Sequence, residues 1–226
     1  MKKIDYSRPP APEDALPKPD AIFFDWDGTL ADGLPLIKSG YDYMTSRLGL
    51  PEYSVDDVKG FMRRSSRDLF PQLFGERAEE AKTFFYDFVK ERYLNFFSPI
   101  DGAESLLQSM RDRGIPAALI SNKNHDLLVS ELQEHGWDVY FSCVVGAGKA
   151  ARDKPQPDPL LLARDKIGLS ANHVIWYVGD SETDMAAALA AEMVPIFIES
   201  GLRQLSDCHK IDIFPFSVKN LKDLHP

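Results

Sequence analysis

The stretch Ala21-Ile22-Phe23-Phe24-Asp25-Trp26-Asp27-Gly28-Thr29-Leu30 decides the fold. Its opening apolar run predicts a short strand buried on both faces, because a half-exposed strand would alternate polar and apolar side chains. The run breaks at Asp25, where acids and a glycine take over and mark a strand leading into a tight loop.

Toward the C-terminus the same grammar repeats. Residues 103–113 read as a helix stopped by Gly114, a residue suited to the left-handed helix end. Residues 117–120 are a buried strand ending at Ser121-Asn122, and residues 125–135 a helix with Gly136 as its stop. Residues 139–145 contain a third strand. Asp158-Pro159 suits a helix start, with Asp158 as cap and the proline in the first turn. Residues 174–178 form a strand, Gly179-Asp180 and an alanine-rich helix follow, and residues 194–198 are a last strand. Alternating strands and helices predict an α/β fold, a parallel sheet covered on both faces. Such sheets bind ligands beyond the carboxyl ends of their strands, so the polar breaks after Phe24, Ile120 and Val178 should converge on one crevice.

Between these parts, residues 34–99 carry apolar residues at three- and four-residue steps and read as helical, with Pro51, Pro71 and Pro99 at helix ends. Residues 1–20 contain Pro9, Pro10, Pro12, Pro17 and Pro19 and read as an extended or disordered arm. Residues 201–226 close the fold without a pattern of their own.

Bulk composition narrows the function. The 226 residues are 44% hydrophobic and 27% charged, ordinary for a globular protein of one large domain or of one domain with an insert. No apolar run approaches the roughly 20 residues of a membrane helix, and no signal peptide core is present, so the expected address is cytoplasmic. A net charge of −9 argues against a nucleic acid surface. It also means that an anionic substrate needs a local positive site. Cys143 and Cys208 form neither a disulfide framework nor a metal spacing and read as core residues. Nothing in the sequence speaks for an oligomeric state.

The strand-end residues carry chemistry. Asp25 and Asp27, two apart at a strand exit, can address one substrate: one carboxylate attacks phosphorus while the other, protonated, donates to the departing alcohol and then activates water. Gly28 permits the tight turn and, with Thr29, can aim amides at phosphate oxygens. The same hexapeptide also reads as a turn with two solvated acids. Asp180 and Asp184 add acidic oxygens at the same edge, the ligand type that magnesium prefers; they read equally as helix-start residues. Ser121 and Asn122 can hold phosphoryl oxygens, or form an ordinary turn. Lys154, ahead of a helix, can neutralise charge at the nucleophile, or be an exposed loop lysine.

Four signatures in order, DWDGTL, the strand-ending SN, the KP of DKPQPDP, and GDSETD, resemble those of the haloacid dehalogenase superfamily over residues 21–198. The resemblance implies a Rossmann-like three-layer α/β/α core formed by residues 21–33 and 100–226. It also implies a helical cap domain over residues 34–99, of the phosphoglycolate phosphatase kind. By position it implies Asp25 as nucleophile and Mg2+ ligand, and Asp27 as acid/base lending its backbone carbonyl to the metal. Ser121 would bind phosphate and Lys154 stabilise the nucleophile. Asp180 would ligate magnesium, with Asp184 either joining it or orienting the site. Asp27 speaks for an alcohol leaving group, since members that displace halide typically lack this acid.

The expected activity is therefore a magnesium-dependent phosphatase acting on a small phosphorylated metabolite through an aspartyl-phosphate. Arg63, Arg64 and Arg67 can clamp a carboxylate on that substrate, which puts phosphoglycolate-like anions first; each is also an ordinary arginine of a solvated helix. The rivals are a phosphosugar mutase of the beta-phosphoglucomutase type, an inactive phosphometabolite-binding protein, and, weakest because of Asp27, a dehalogenase.

Overall fold

The computed structural model describes residues 4–11, 15–93, 96–199 and 201–226. Six strands form one parallel sheet in the order β3-β2-β1-β4-β5-β6. They are β1 (Ala21–Phe24), β2 (Ala117–Asn124), β3 (Cys143–Ala147), β4 (Ile175–Gly179), β5 (Val194–Ile198) and β6 (Phe216–Val218). β1 lies inside the sheet between β2 and β4, and this explains its unbroken apolar run. Ile22 and Phe24 pack into one layer with Leu107, Leu119, Leu128 and Trp137, while Ala21 and Phe23 pack into the other with Ile120, Leu160, Tyr177 and Ala188. Each large side chain buried this way contributes about 1.5–3 kcal/mol.

Helices α5 (Ala103–Asp112), α6 (His125–Glu134), α7 (Asp158–Lys166) and α8 (Glu182–Ala190) are the crossovers that parallel pairing requires. Gly114 and Gly136 sit past helix ends with φ of 67° each, as read from the sequence. The α/β expectation is thus met.

Four helices stand between β1 and α5: α1 (Leu34–Leu48), α2 (Val55–Phe61), α3 (Ser66–Phe74) and α4 (Ala78–Arg92). They bury a cluster of their own around Tyr41, Met44, Phe70, Phe85 and Val89, supplemented from the sheet side by Leu127. This is a helical insert with its own core.

Several local expectations need correction. Pro71 lies inside α3 rather than at its end. The buried neighbours Leu69 and Phe70 anchor the helix across it, an instance of tertiary packing overriding propensity. Asp158 is not a cap: Pro157 holds that position, and the Asp158 carboxylate pairs with Arg152 at 2.9 Å. β2 runs on to Asn124, past Ser121-Asn122, and β3 begins only at Cys143.

The described part of the N-terminal arm is docked rather than free. Leu16 packs against the core, the Trp176 indole N–H donates to Pro17 O at 2.8 Å, and Asp20 N donates to Val174 O at 2.7 Å. Tyr6 O accepts from Phe214 N. Residues 201–226 supply α9 (Leu205–His209) and the edge strand β6. No helix among the described residues is long and apolar enough to cross a membrane.

Candidate active site

Strand register builds the site. Phe24 lies opposite both Leu119 and Val178, so the residues just beyond these positions emerge side by side at one edge. Asp25 leaves β1, Ser121 lies in β2, and Asp180 follows β4. The carboxylates of Asp25, Asp180 and Asp184 offer oxygens all within 4.8 Å of one another, and all three residues are buried. Among the described residues this is the group able to hold a metal ion. An all-oxygen, all-anionic donor set fits a hard divalent cation.

The electrostatics show what that proximity costs. Burial, then the Asp184 charge, pushes Asp25 up to about 6 against the pull of Lys154. Burial and Asp184 likewise push Asp180 up to about 7, partly offset by Arg203. Carboxylates so placed favour either a proton or a cation between them.

Lys154 supplies part of the positive charge. Its Nζ is within hydrogen-bond reach of Asp25 Oδ1 at 2.8 Å, Asp184 Oδ1 at 2.7 Å, Ile120 O at 3.1 Å and Tyr177 Oη at 2.8 Å, one more oxygen than its three N–H groups. Burial pulls its pKa down, yet Asp184 and Asp25 together hold it above the ordinary lysine value. Lys154 precedes a cis peptide bond to Pro155.

Asp184 has little capacity left. Its Oδ1 accepts from Lys154 and lies 3.3 Å from Tyr177 Oη, and its Oδ2 accepts from Ser181 N at 3.1 Å and Ser181 Oγ at 2.5 Å. Ser181 Oγ in turn accepts from Asp184 N, closing a capping box at the start of α8. Asp184 is thus a helix-start residue that also lies at the edge where the acids gather, its oxygens engaged by these donors.

Some sequence-predicted residues stand apart from the others. Gly28 and Thr29 do not line the cavity; Gly28 N donates to Ala31 O at 2.8 Å and Thr29 N to Trp26 O at 3.2 Å, so the turn itself uses these amides. Gly28, at φ 91°, instead gives room: a Cβ there would fall 2.4 Å from Asp180 Oδ2. Asn122 is also committed. Its Nδ2 donates to Lys154 O and Arg63 O, both at 2.9 Å, and its Oδ1 accepts from Lys154 N at 3.0 Å. Ser121 lines the cavity, with Oγ accepting from Lys123 N at 3.2 Å.

The insert closes over this edge, leaving a cavity of about 70 Å³. Arg63 lines it and forms an ion pair with Glu182 at the start of α8. Arg64 lines it too but donates to Gln72 Oε1 at 3.0 Å. Arg67 lies outside the cavity, paired with Asp153 at 3.1 Å, because it sits on the flank of α3 that faces the loop ahead of Lys154.

Four site residues carry no motif in the sequence. Lys123 is buried, and its Nζ lies 3.3 Å from Asp27 Oδ1 and 2.7 Å from Glu131 Oε2. It lies just past the point where the sequence pattern ends the strand, in a stretch of β2 whose pairing with β3 is irregular, so strand alternation does not announce it. Tyr177 donates to Ile120 O at 2.9 Å from within the sheet. Arg203 is buried 3.9 Å from Asp180 Oδ2 and donates to Lys59 O of the insert. Glu131 belongs to the Lys123 network.

Residues 22–198 match the family described as haloacid dehalogenase-like hydrolase. A phosphoglycolate phosphatase of Xanthomonas campestris pv. campestris (strain 8004) is 31% identical, over 82% of this chain and 85% of its own. One from Neisseria meningitidis serogroup A is 28% identical, over 83% of each. A solved Bacteroides fragilis protein described as a haloacid dehalogenase-like hydrolase shares the fold, with a TM-score of 0.83 at 23% identity, over 92% of this chain and 100% of that one. With the family's span covering the whole sheet edge where the acids gather, the chain belongs to the haloacid dehalogenase-like hydrolases and is one of their phosphatases.

Proposed function

We propose that this enzyme hydrolyses a small phosphate monoester, of the phosphoglycolate-like kind, through a phosphorylated Asp25, with Mg2+ as cofactor. The observation that carries the reading is the meeting of the Asp25, Asp180 and Asp184 carboxylates within 4.8 Å, with Asp25 and Asp184 in contact with the Lys154 ammonium. Asp25 and Asp180, with the Asp27 carbonyl, would hold the metal, and Asp184 orients the group. When bound, the cation neutralises these acids and the incoming phosphate and stabilises charge on the transferring group.

The chain's own residues do the rest. Asp25 attacks phosphorus as carboxylate, with Lys154 fixing its Oδ1. Ser121 offers its hydroxyl to a phosphoryl oxygen. Asp27, whose carboxyl burial holds above the usual carboxylate range, gives its proton to the leaving alcohol and then takes one from the attacking water. That raised value suits the acid role, in which the proton must be present before transfer.

The helical insert acts as a cap domain. Its Arg63, on the cavity wall, is the first candidate to meet a substrate carboxylate, with Arg64 next; Arg67 is a tether between insert and core instead. The curated relatives named above support a phosphoglycolate-like substrate.

The test is a screen of phosphorylated metabolites for phosphate release, with and without magnesium, beside the Asp25→Asn variant. Release from a small carboxylated phosphate ester that needs both magnesium and Asp25 is expected. Metal-independent release, or turnover by Asp25→Asn near the parent rate, sinks the proposal.

A further inference from the structure

Behind Asp27 lies a buried group of charges to which the mechanism above gives no part. Glu131, on α6, is 4% exposed. Its Oε2 accepts both from Lys123 Nζ at 2.7 Å and from the Trp26 indole N–H at 2.9 Å. Lys123 in turn reaches Asp27 Oδ1 at 3.3 Å. The side chains of Lys123, Glu131 and Asp27 are 7%, 6% and 11% exposed. One glutamate thus holds the residue between the two loop aspartates and the cation that touches the second of them.

Stability does not account for such an arrangement. Desolvating several charges offsets most of their mutual attraction, and apolar side chains of similar volume commonly serve a core equally well. An apolar filling was at hand, since Phe97, Trp137 and Leu132 already surround Trp26 in the same layer. What charge adds here is direction. A carboxyl that must hand a proton to a leaving oxygen has to be held within hydrogen-bond reach and correctly turned. Lys123 is anchored at both ends of its reach, so it can fix which oxygen of Asp27 faces inward and which faces the cavity.

We infer that Glu131 is a positioning residue for the acid step: it holds the Lys123 ammonium against Asp27 and so fixes the carboxyl that protonates the leaving group. The inference rests on the acid role of Asp27 proposed above. It has a distinctive consequence. A misplaced acid matters for a poor leaving group such as an alkoxide and matters little for a good one such as p-nitrophenolate, which departs without a proton.

The experiment compares phosphoryl transfer to the enzyme in single-turnover mode, using 2-phosphoglycolate and p-nitrophenyl phosphate, for the parent, Glu131→Gln, Lys123→Gln and Asp27→Asn. Glu131→Gln keeps the side-chain size and the acceptor for Trp26 while removing the charge. It should slow transfer from the alkyl ester roughly 10–100-fold more than from the aryl ester. Lys123→Gln should give the same selective pattern, and it serves as the reading if Glu131→Gln does not fold. Equal losses on both esters in Glu131→Gln and Lys123→Gln, with Asp27→Asn selective, overturn the positioning role alone. Equal losses in Asp27→Asn overturn the acid role of Asp27, and the inference with it.

Discussion

The Lys154 ammonium stands 2.8 Å from Asp25 Oδ1, with both side chains buried at the carboxyl edge of the sheet. A cation this close keeps the nucleophile anionic against the burial that pushes its pKa up to about 6. Lys154→Met should therefore lower kcat by roughly 100–1000-fold, the scale of losing one electrostatic contact to a transition state. It should also cost stability, about 3–5 kcal/mol for breaking a buried pair, with magnesium recovering part of the loss. Steady-state rates and thermal unfolding with and without magnesium check both statements.

Asp180 contributes, with Asp25, to the pH behaviour of the metal-free protein. Its folded pKa of about 7 lies above the ordinary 3.8, so between these values the native state keeps a proton that the unfolded chain has released. Stability then falls as pH rises through that window. Asp180→Asn should flatten the decline in unfolding curves taken from pH 4 to 7. A steeper decline in the variant would contradict the assignment.

Magnesium should raise the melting temperature most near neutral pH. At 100-fold excess over its dissociation constant a ligand adds about 2.7 kcal/mol, which is roughly 5–10 °C for a protein of this size. At pH 5, with Asp25 and Asp180 largely protonated, the rise should shrink. An equal rise at both values would place the ion elsewhere.

Gly33 is held to its identity by the acid it faces. A Cβ there would fall 1.8 Å from Asp27 Oδ1. The backbone at φ −85° is one that alanine adopts freely, so the effect of Gly33→Ala is displacement of Asp27 and not strain. Turnover should drop at least tenfold, while circular dichroism shows the same fold.

Two arginines of the insert, Arg63 and Arg67, should separate. Arg63→Ala should raise KM for a carboxylated substrate and loosen closure, since Arg63 lines the cavity and pairs with Glu182. Arg67→Ala removes contacts to Asp153, Asp68 and the Ala151 carbonyl, and because Arg67 does not line the cavity it should change KM less than threefold. The reverse order in a steady-state comparison would exchange their assignments.

The strand-end acids were legible because chemistry and topology share one punctuation mark. An apolar run broken by Asp25, or by Gly179-Asp180, states both where a strand stops and what waits there. Asn122 shows the limit of that reading. Its neighbour Ser121 reaches the cavity, yet its own amide is drawn into Lys154 and Arg63, partners 32 and 59 residues away in the chain. Arg203 and Glu131 were invisible for the same reason: their roles come from three-dimensional neighbours, and neither sits in a patterned stretch. Pro71 misled because local propensity is weaker than the burial of the residues beside it. The terminal segments gave no periodicity, though one lies on the core and the other contributes a strand.

Asn122 divides its bonds unevenly between two bodies. Three of its hydrogen-bonding positions are in use, two on Lys154 and one on the Arg63 carbonyl of the insert. A lid swinging away would surrender the Arg63 contact to water and keep the pair to Lys154. The lysine loop would thus stay cocked through each round of admission and release, and product could depart without the reacting groups having to reassemble.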